Sequence, residues 1–273
     1  MSGRRDFFKA LSGRPEPGTG PDPAAPDAPV HDGGPDRWLD RYSRQLVLPQ
    51  WSEAAQRALA EASVLVVGAG ALGSPVAAYL VGAGVGRLGI VDPEDVELSN
   101  LHRQHLHFTP DVGVPKAHSA AAKLGFLNPD VVVEPYQARF TPAMLDGQDL
   151  VVDCTDAFAT RYEINAACCA TNTPLVEAGV LALSGMVMTI RPHETACYRC
   201  AFPQPPPDAP SCAEAGILGP AAGVVGSLQA LEAIKLLADL PGALTDGFLQ
   251  IDLADGSFVR VRVQRRLDCA DCA

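Results

Sequence analysis

A glycine-rich loop between a strand pattern and a helix pattern decides the fold class of this chain. Ser63–Val67 is an apolar, valine-rich run typical of a buried strand. Gly68, Gly70 and Gly73 follow it in the spacing G-x-G-x-x-G, and an apolar helical pattern comes directly after them. In that context the glycines allow a tight turn and bring backbone N–H groups at a helix N-terminus close to a phosphate. The loop predicts a nucleotide site; the alternative is a tight turn that binds no ligand.

Strands and helices alternate after this loop. Strands are predicted at Arg87–Val91, 131–134, Leu150–Asp153 and 174–178, and helices near 75–84, from 116 and over 160–170. A long helix over 221–238 and a β-hairpin of 248–253 and 258–263 follow. This order predicts an α/β fold, a doubly wound Rossmann-like sheet with an antiparallel C-terminal addition.

The N-terminal segment differs in composition from the rest. Residues 1–37 are rich in proline and glycine and carry few apolar residues, so a disordered tail is expected, followed by one ATP-binding domain over 38–273. Arg4 and Arg5 begin a string similar to a twin-arginine export signal, but no apolar stretch follows it. We therefore expect a cytoplasmic protein, in which this string belongs to a short tail helix or a partner-docking peptide.

The charge balance excludes some classes of partner. Lys and Arg number 21 and Asp and Glu number 32, which gives a formal net charge of −11. A nucleic-acid-binding protein needs a basic footprint, which this surplus of acid does not favour. Since no run of 18 apolar residues occurs, no transmembrane helix is predicted. We expect neither nucleic acid nor membrane as a partner.

Polar and cationic residues cluster where the predicted strands end. Asp92 closes the second strand, where a carboxylate can accept hydrogen bonds from ribose hydroxyls. The segment after it is polar and contains Arg103, and Lys116 begins the next predicted helix. An enzyme that handles a triphosphate needs such cations, whereas a dehydrogenase does not. Asp153 and Asp156 follow a further strand, and a carboxylate there can hold Mg²⁺.

Four of the eight cysteines form two C-x-x-C pairs, Cys197 with Cys200 and Cys269 with Cys272. Four thiolates suit a tetrahedral structural Zn²⁺, and the alternative is a reactive dithiol or ordinary cysteines. Cys212 lies in a proline-rich, loop-like stretch, where a thiol is either a nucleophile or sulfur acceptor or a bystander. The other three are expected to be inert core residues: Cys154, Cys168 and Cys169.

Together these segments resemble the ubiquitin-activating-enzyme-like adenylyltransferases, the family of the molybdopterin-synthase and thiamine-pathway sulfur-carrier adenylyltransferases. The matching strings are RYSRQ at 41–45, VVGAGALG at 66–73, DPEDVELSNLHRQ at 92–104, VGVPK at 112–116, DCTD at 153–156, SCAEAGILGP at 211–220 and the two cysteine pairs. The resemblance implies a homodimer that uses ATP and Mg²⁺ to adenylate the C-terminal Gly-Gly carboxylate of a small ubiquitin-like sulfur carrier. It prepares the carrier for thiocarboxylate formation, and a separate protein is expected to donate the sulfur.

The resemblance also implies roles for individual residues. The catalytic set comprises Arg44, which reaches the phosphates from the partner subunit, with Arg103, Lys116, Asp156 and Cys212. The nucleotide-binding set comprises Gly68, Gly70, Ala71, Gly73, Asp92, Ser99, Asn100, Leu101, His102, Arg103, Lys116, Asp156 and Ala157. The zinc ligands are Cys197, Cys200, Cys269 and Cys272.

Two positions depart from the family pattern, which usually has Asn at Ala157 and Gly at Ala71. The change at Ala157 removes a polar contact near the nucleotide. It leaves open a catalytically weak, dimeric docking protein of the same family. A Rossmann oxidoreductase that uses NAD is the other alternative, and it leaves Arg103, Lys116 and the cysteine pairs unexplained.

Overall fold

The computed structural model describes residues 35–205 and 216–273. Helix bounds are α1 Pro35–Leu46, α2 Glu53–Glu61, α3 Gly73–Ala83, α4 Lys116–Leu127, α5 Phe158–Thr171, α6 Tyr198–Ala201 and α7 Gly219–Leu237. Strand bounds are β1 Ser63–Val67, β2 Arg87–Val91, β3 Val132–Tyr136, β4 Leu150–Asp153, β5 Leu175–Leu181, β6 Ser184–Ile190, β7 Gly247–Asp252 and β8 Ser257–Arg262. The first helix begins at Pro35, two residues before the expected end of the tail at residue 37, and the tail up to residue 34 lies outside the described residues.

One eight-stranded sheet has the order β3-β2-β1-β4-β5-β6-β7-β8. The first five strands are parallel, and β6, β7 and β8 each run antiparallel to the strand before them. The predicted α/β fold with an antiparallel C-terminal addition is therefore confirmed. The chain reverses its direction across the sheet between β1 and β4, and in open parallel sheets a ligand crevice forms at such a point, beyond the carboxyl ends of the strands.

The central strands bury both faces, which explains their near-continuous apolar sequences. In β1, Val64 and Val66 pack into one hydrophobic cluster, on the side of α3, α4 and α7. Leu65 and Val67 point to the other face and pack with residues of α5 and with the paired cysteines. This alternation fixes which residues of the strand ends face the crevice.

Strand β6 and helices α1, α2 and α6 are absent from the prediction. Gly185 interrupts the apolar pattern of β6. A glycine is needed here because α7 packs closely over this strand, and a Cβ would lie 2.5 Å from Val225 of that helix. Among the described residues, no helix is both long and apolar enough to cross a membrane.

Candidate functional site

A cavity of about 600 Å³ opens beyond the carboxyl ends of β1, β2 and β4. It lies at the point where the strand order reverses, as the fold class predicts. Nine of the residues implied by the resemblance line it: Gly68, Gly70, Ala71, Asp92, Asn100, Arg103, Lys116, Asp156 and Ala157. The structure therefore brings together most of the nucleotide set, although these residues come from five segments of the chain.

The loop after β1 requires its glycines for steric reasons. Gly68 has φ +102°, and a Cβ on it would lie 2.8 Å from the carbonyl oxygen of Cys154. Gly73 begins α3 and does not line the cavity; a Cβ on it would lie 1.9 Å from the Gly68 carbonyl oxygen. Gly73 therefore allows the helix to pack against the loop, so that the loop can approach a ligand.

Two buried side chains hold the backbone of Ala69 in this loop. Asp92 accepts a hydrogen bond from the Ala69 N–H at 2.8 Å through Oδ2, and from the Glu94 N–H at 2.9 Å through Oδ1. His107 Nε2 donates to the Ala69 carbonyl at 2.9 Å, which fixes the tautomer of a neutral ring with Nδ1 accepting from Ser119 Oγ, also at 2.9 Å. The loop is thus held in place before any ligand binds.

Burial shifts the pKa of both groups that hold Ala69. It raises the pKa of Asp92, although the two N–H donors oppose the rise. It also lowers the pKa of His107, so the neutral ring is favoured in the folded state. His107 was missed by the sequence analysis because no local pattern signals a histidine that bonds to a loop 38 residues away.

Four cations line the cavity, Arg103, Lys116, Arg139 and Arg161, and the two that were predicted to contact phosphates are held differently. Lys116 is only 4% exposed, and its Nζ forms an ion pair with Glu94 Oε2 at 2.5 Å. Arg103 is half-buried, and its Nη1 donates to the Ser99 carbonyl at 2.8 Å. Both side chains line the cavity, where each can attract an anionic ligand.

Besides Gly73, three predicted nucleotide contacts do not line the cavity: Ser99, Leu101 and His102. The Ser99 hydroxyl donates to Glu97 Oε2 at 3.0 Å, while its carbonyl holds Arg103. His102 is exposed, and its carbonyl packs beside Gly219 at the start of α7. These residues shape the segment that carries Arg103.

A turn after β4 presents Asp156 and Ala157 to the cavity. Asp153 is fully buried and does not line the cavity, because its Oδ1 accepts hydrogen bonds from the N–H and the hydroxyl of Thr155, at 2.8 and 2.7 Å. Of the two candidate magnesium carboxylates, Asp156 is therefore the one at the cavity. Arg161 lines the same wall, and its Nη2 donates to the Thr155 carbonyl at 2.8 Å.

Other predicted residues lie elsewhere. Arg44 is exposed on α1 and does not line the cavity of its own chain. Cys212 lies outside the described residues. The sequence analysis missed Arg139, an exposed cation that lines the cavity just after β3; its place after a strand end is the signal that could have indicated it.

The four paired cysteines meet in one buried cluster. Cys197, Cys200, Cys269 and Cys272 have their sulfur atoms within 4.8 Å of one another. The S···S separations are 3.8 Å for 197 with 200, and 3.5 Å for 197 with 269 and for 200 with 272. Tetrahedral zinc with Zn–S bonds of about 2.3 Å needs separations of about 3.8 Å, whereas a disulfide needs about 2 Å. The cluster can therefore hold a metal ion.

The surroundings of the cluster lower the pKa of one thiol, Cys269, and raise the pKa of the other three. Although burial alone would raise it, backbone N–H groups of Asp271 and Cys272 lower the pKa of Cys269 to about 7. The Asp271 carboxylate in turn accepts from Asn165 Nδ2 at 2.7 Å and pairs with Arg199 Nε at 2.8 Å. The C-terminal segment is thereby bound to α5 and α6.

The remaining described cysteines are structural. Cys154, Cys168 and Cys169 are buried, as expected. Burial raises the pKa of Cys154 and of Cys168 well above the ordinary value, which keeps both thiols neutral and unreactive.

Known proteins resemble this chain over most of its length. The ThiF family matches residues 42–271. The sulfur carrier protein adenylyltransferase of Thermus thermophilus is 47% identical over 251 residues, which are 86% of this chain and 93% of that protein. The adenylyltransferase and sulfurtransferase MOCS3 of Sus scrofa is 47% identical over 239 residues, 85% of this chain and 52% of that protein. The chain thus spans about half the length of MOCS3.

Solved structures show the same fold at lower identity. E. coli MccB with MccA-N7isoASN superposes with a TM-score of 0.77 at 22% identity, over 85% of this chain and 75% of that chain. Selenomethionine PaaA superposes with a TM-score of 0.73 at 19% identity, over 97% of this chain and 88% of that chain. The family match and the identity to the Thermus enzyme carry the classification: the chain belongs to the ThiF family and is an adenylyltransferase.

Proposed function

We propose that this adenylyltransferase uses ATP to activate the C-terminal Gly-Gly carboxylate of a small ubiquitin-like sulfur carrier. The observation that carries the proposal is one cavity that joins the glycine loop with Arg103, Lys116 and Asp156 at the reversal point of the sheet. The relative from Thermus thermophilus is a sulfur carrier protein adenylyltransferase, which supports the choice of acceptor.

The proposed reaction needs positioning and charge neutralisation. A carboxylate oxygen of the carrier bonds to the α-phosphorus of ATP, and the bond from that phosphorus to the bridging oxygen breaks. Pyrophosphate leaves with the electron pair, and the acyl-adenylate remains. Arg103 and Lys116 neutralise the charge that develops on the departing pyrophosphate. No general base is required, because the attacking carboxylate is already ionised at neutral pH.

The glycine loop and Asp156 serve the nucleotide. Asp92 and His107 hold the loop at Ala69, and other backbone N–H groups of the loop would bind the phosphates. Asp156 is an exposed carboxylate that lines the cavity, and by its place in the family string it is the residue that would hold Mg²⁺, an ion that neutralises phosphate charge when it is bound. Lys116 forms an ion pair with Glu94 in this structure, so a phosphate must compete with Glu94 for the ammonium group.

We also propose that the cysteine cluster holds a structural Zn²⁺. Its sulfur separations fit tetrahedral coordination, and four protein ligands leave no open position for catalysis. The homodimer with Arg44 reaching across it, the role of Cys212, the separate sulfur donor and the cytoplasmic location stay predictions.

Ala157 favours a second candidate function, that of a docking protein of the same family that binds the carrier without adenylating it. It lines the cavity at a position where the family pattern has Asn, so the site carries one polar contact fewer. The two candidates differ in whether the bound carrier is turned over.

ATP–pyrophosphate exchange tests the proposal. Zinc-loaded protein is assayed with the Gly-Gly-ended carriers of its source organism, and with each carrier lacking the terminal Gly-Gly. We expect exchange with an intact carrier only. Arg103→Ala and Asp156→Asn should lower exchange by at least about a hundredfold, while the matched control Arg57→Ala, an exposed arginine on α2, should keep it. Carrier binding without exchange would favour the docking candidate, and exchange retained by Asp156→Asn would remove that residue from the reaction.

A further inference from the structure

Two buried carboxyl groups and one guanidinium lie behind the turn that carries Asp156. Asp153 and Glu177 are register partners on the neighbouring strands β4 and β5, and both are fully buried. Arg161 of α5 is 8% exposed, and its Nη1 lies 3.3 Å from Glu177 Oε1. Gly179 leaves room for this guanidinium, because a Cβ there would lie 2.6 Å from Nη1. Three ionisable groups therefore share one buried site.

The charge of this site requires one carboxyl to keep its proton. Two carboxylates beside one guanidinium would leave an uncompensated negative charge inside the protein, which is costly. Glu177 is the better place for that proton, because Asp153 Oδ1 already accepts two hydrogen bonds from Thr155. Neither oxygen of Glu177 receives a hydrogen bond from the described residues, and Asp153 Oδ2 is likewise without one. A protonated Glu177 can donate to that Asp153 oxygen, which leaves a balanced pair of Asp153 and Arg161.

The surroundings of Glu177 agree with this assignment. Burial raises its pKa well above the ordinary value, and Asp153 raises it further, whereas Arg161 lowers it. The other ionisable groups that face it are two thiols and two phenols, Cys154, Cys168, Tyr162 and Tyr198. Burial raises the pKa of each of these four, so they stay neutral and leave the charge balance unchanged.

We propose that Glu177, protonated and packed between Asp153 and Arg161, is a positioning residue for the nucleotide site. Thr155 is held at three atoms: Asp153 accepts from its N–H and hydroxyl, and Arg161 donates to its carbonyl. Thr155 and Asp156 both line the cavity, so a shift of Arg161 displaces the carboxylate that faces the ligand. Glu177 keeps Arg161 in place without adding a second negative charge. This inference rests on the function proposed above, because it gives Asp156 a task in binding Mg-ATP.

Two measurements on the whole protein test the inference. Infrared spectra at pH 7 should show the carbonyl stretch of a buried protonated carboxyl group in the wild type. The band should be missing from Glu177→Gln and Glu177→Ala, and present in Glu61→Gln, the exposed control on α2. Calorimetric titration with Mg-ATP should give a Kd within about twofold of wild type for Glu177→Gln, which is neutral and isosteric. Glu177→Ala should weaken binding about tenfold or more, because Arg161 loses its support.

The outcomes separate this inference from the proposed function. A wild-type protein without the infrared band overturns the inference, as does a Gln variant that binds Mg-ATP as poorly as the Ala variant. A folded Ala variant with wild-type affinity also overturns it. If the band and the affinity split are both found but no carrier supports pyrophosphate exchange, the inference stands and the proposed function fails. If Glu177→Ala does not fold, the inference is still tested by the infrared band of the wild type and by the Mg-ATP affinity of Glu177→Gln.

Discussion

Gly73→Ala should damage both stability and nucleotide binding, although it adds only one methyl group. The new Cβ would lie 1.9 Å from the Gly68 carbonyl oxygen and 2.9 Å from its carbonyl carbon. Real Cβ atoms essentially never come closer than 3.0 Å to such atoms, so helix α3 and the loop must separate by about 1 Å. Overpacking of this kind costs about 3 kcal/mol, which lowers Tm by roughly 6–12 °C in a domain of this size. The displaced loop should also weaken Mg-ATP binding more than tenfold.

The assay compares this variant with a matched substitution elsewhere. Gly125 lies in α4, and a Cβ on it meets nothing within 4 Å. Gly125→Ala should therefore raise stability by about 0.5–1 kcal/mol, because alanine suits a helix better than glycine, and should leave Mg-ATP affinity unchanged. Melting by circular dichroism and calorimetric titration measure the two effects. Wild-type melting and affinity for Gly73→Ala would refute the steric reasoning, and so would equal losses in both variants.

Two further predictions concern the cysteine cluster and His107. Cys269→Ser should lower the zinc content, and it should lower the free energy of unfolding by at least about 3 kcal/mol, since structural zinc contributes folding free energy. Metal analysis and thermal melting measure these two effects. A strong chelator should destabilise the wild type but not the variant. Burial lowers the pKa of His107 in the folded state. Its contribution to the free energy of unfolding is therefore complete above the pKa of histidine in the unfolded chain, about 6.5, and is lost as the pH falls below that value. Urea unfolding from pH 7 to pH 5 should therefore show falling stability in the wild type, a flatter profile in His107→Gln, and an unchanged slope in the exposed control His118→Gln. Burial also lowers the pKa of His105, so part of the slope should remain.

Local patterns sufficed for the parallel half of the fold. The bounds predicted for β1, β2 and β4 match the structure residue for residue, because these strands are buried on both faces and nearly continuously apolar, with their charged or hydroxyl side chains only at one end. The hairpin of β7 and β8 is confirmed within one residue at each end. Strand β6 was not predicted, because Gly185 interrupts its apolar pattern. That glycine leaves room for Val225 of α7, which is distant in the sequence. Packing across the sheet, which a single sequence does not display, decided that element.

The candidate site shows the same division between strand ends and long-range contacts. Asp92, Arg103 and Lys116 line the cavity because the ends of parallel strands and the segments after them meet at one edge of the sheet. Ser99 illustrates the limit: the family string places it in the set, but its carbonyl turns toward Arg103 rather than the cavity. His107 supports the loop from a segment that no motif singles out.

Burial decides where a loss of activity can be traced to chemistry. Asp92 accepts two backbone hydrogen bonds while 6% exposed, so its replacement disturbs the loop even before ribose is considered. Lys116 is buried as well and pairs with Glu94, so its removal leaves a carboxylate without its partner. Asp156 is exposed, and its replacement should leave the free energy of unfolding within about 0.5 kcal/mol of wild type. A variant at Asp156 that melts like the wild type and exchanges no pyrophosphate therefore reports on the reaction itself, whereas the same loss at Asp92 reports on the loop.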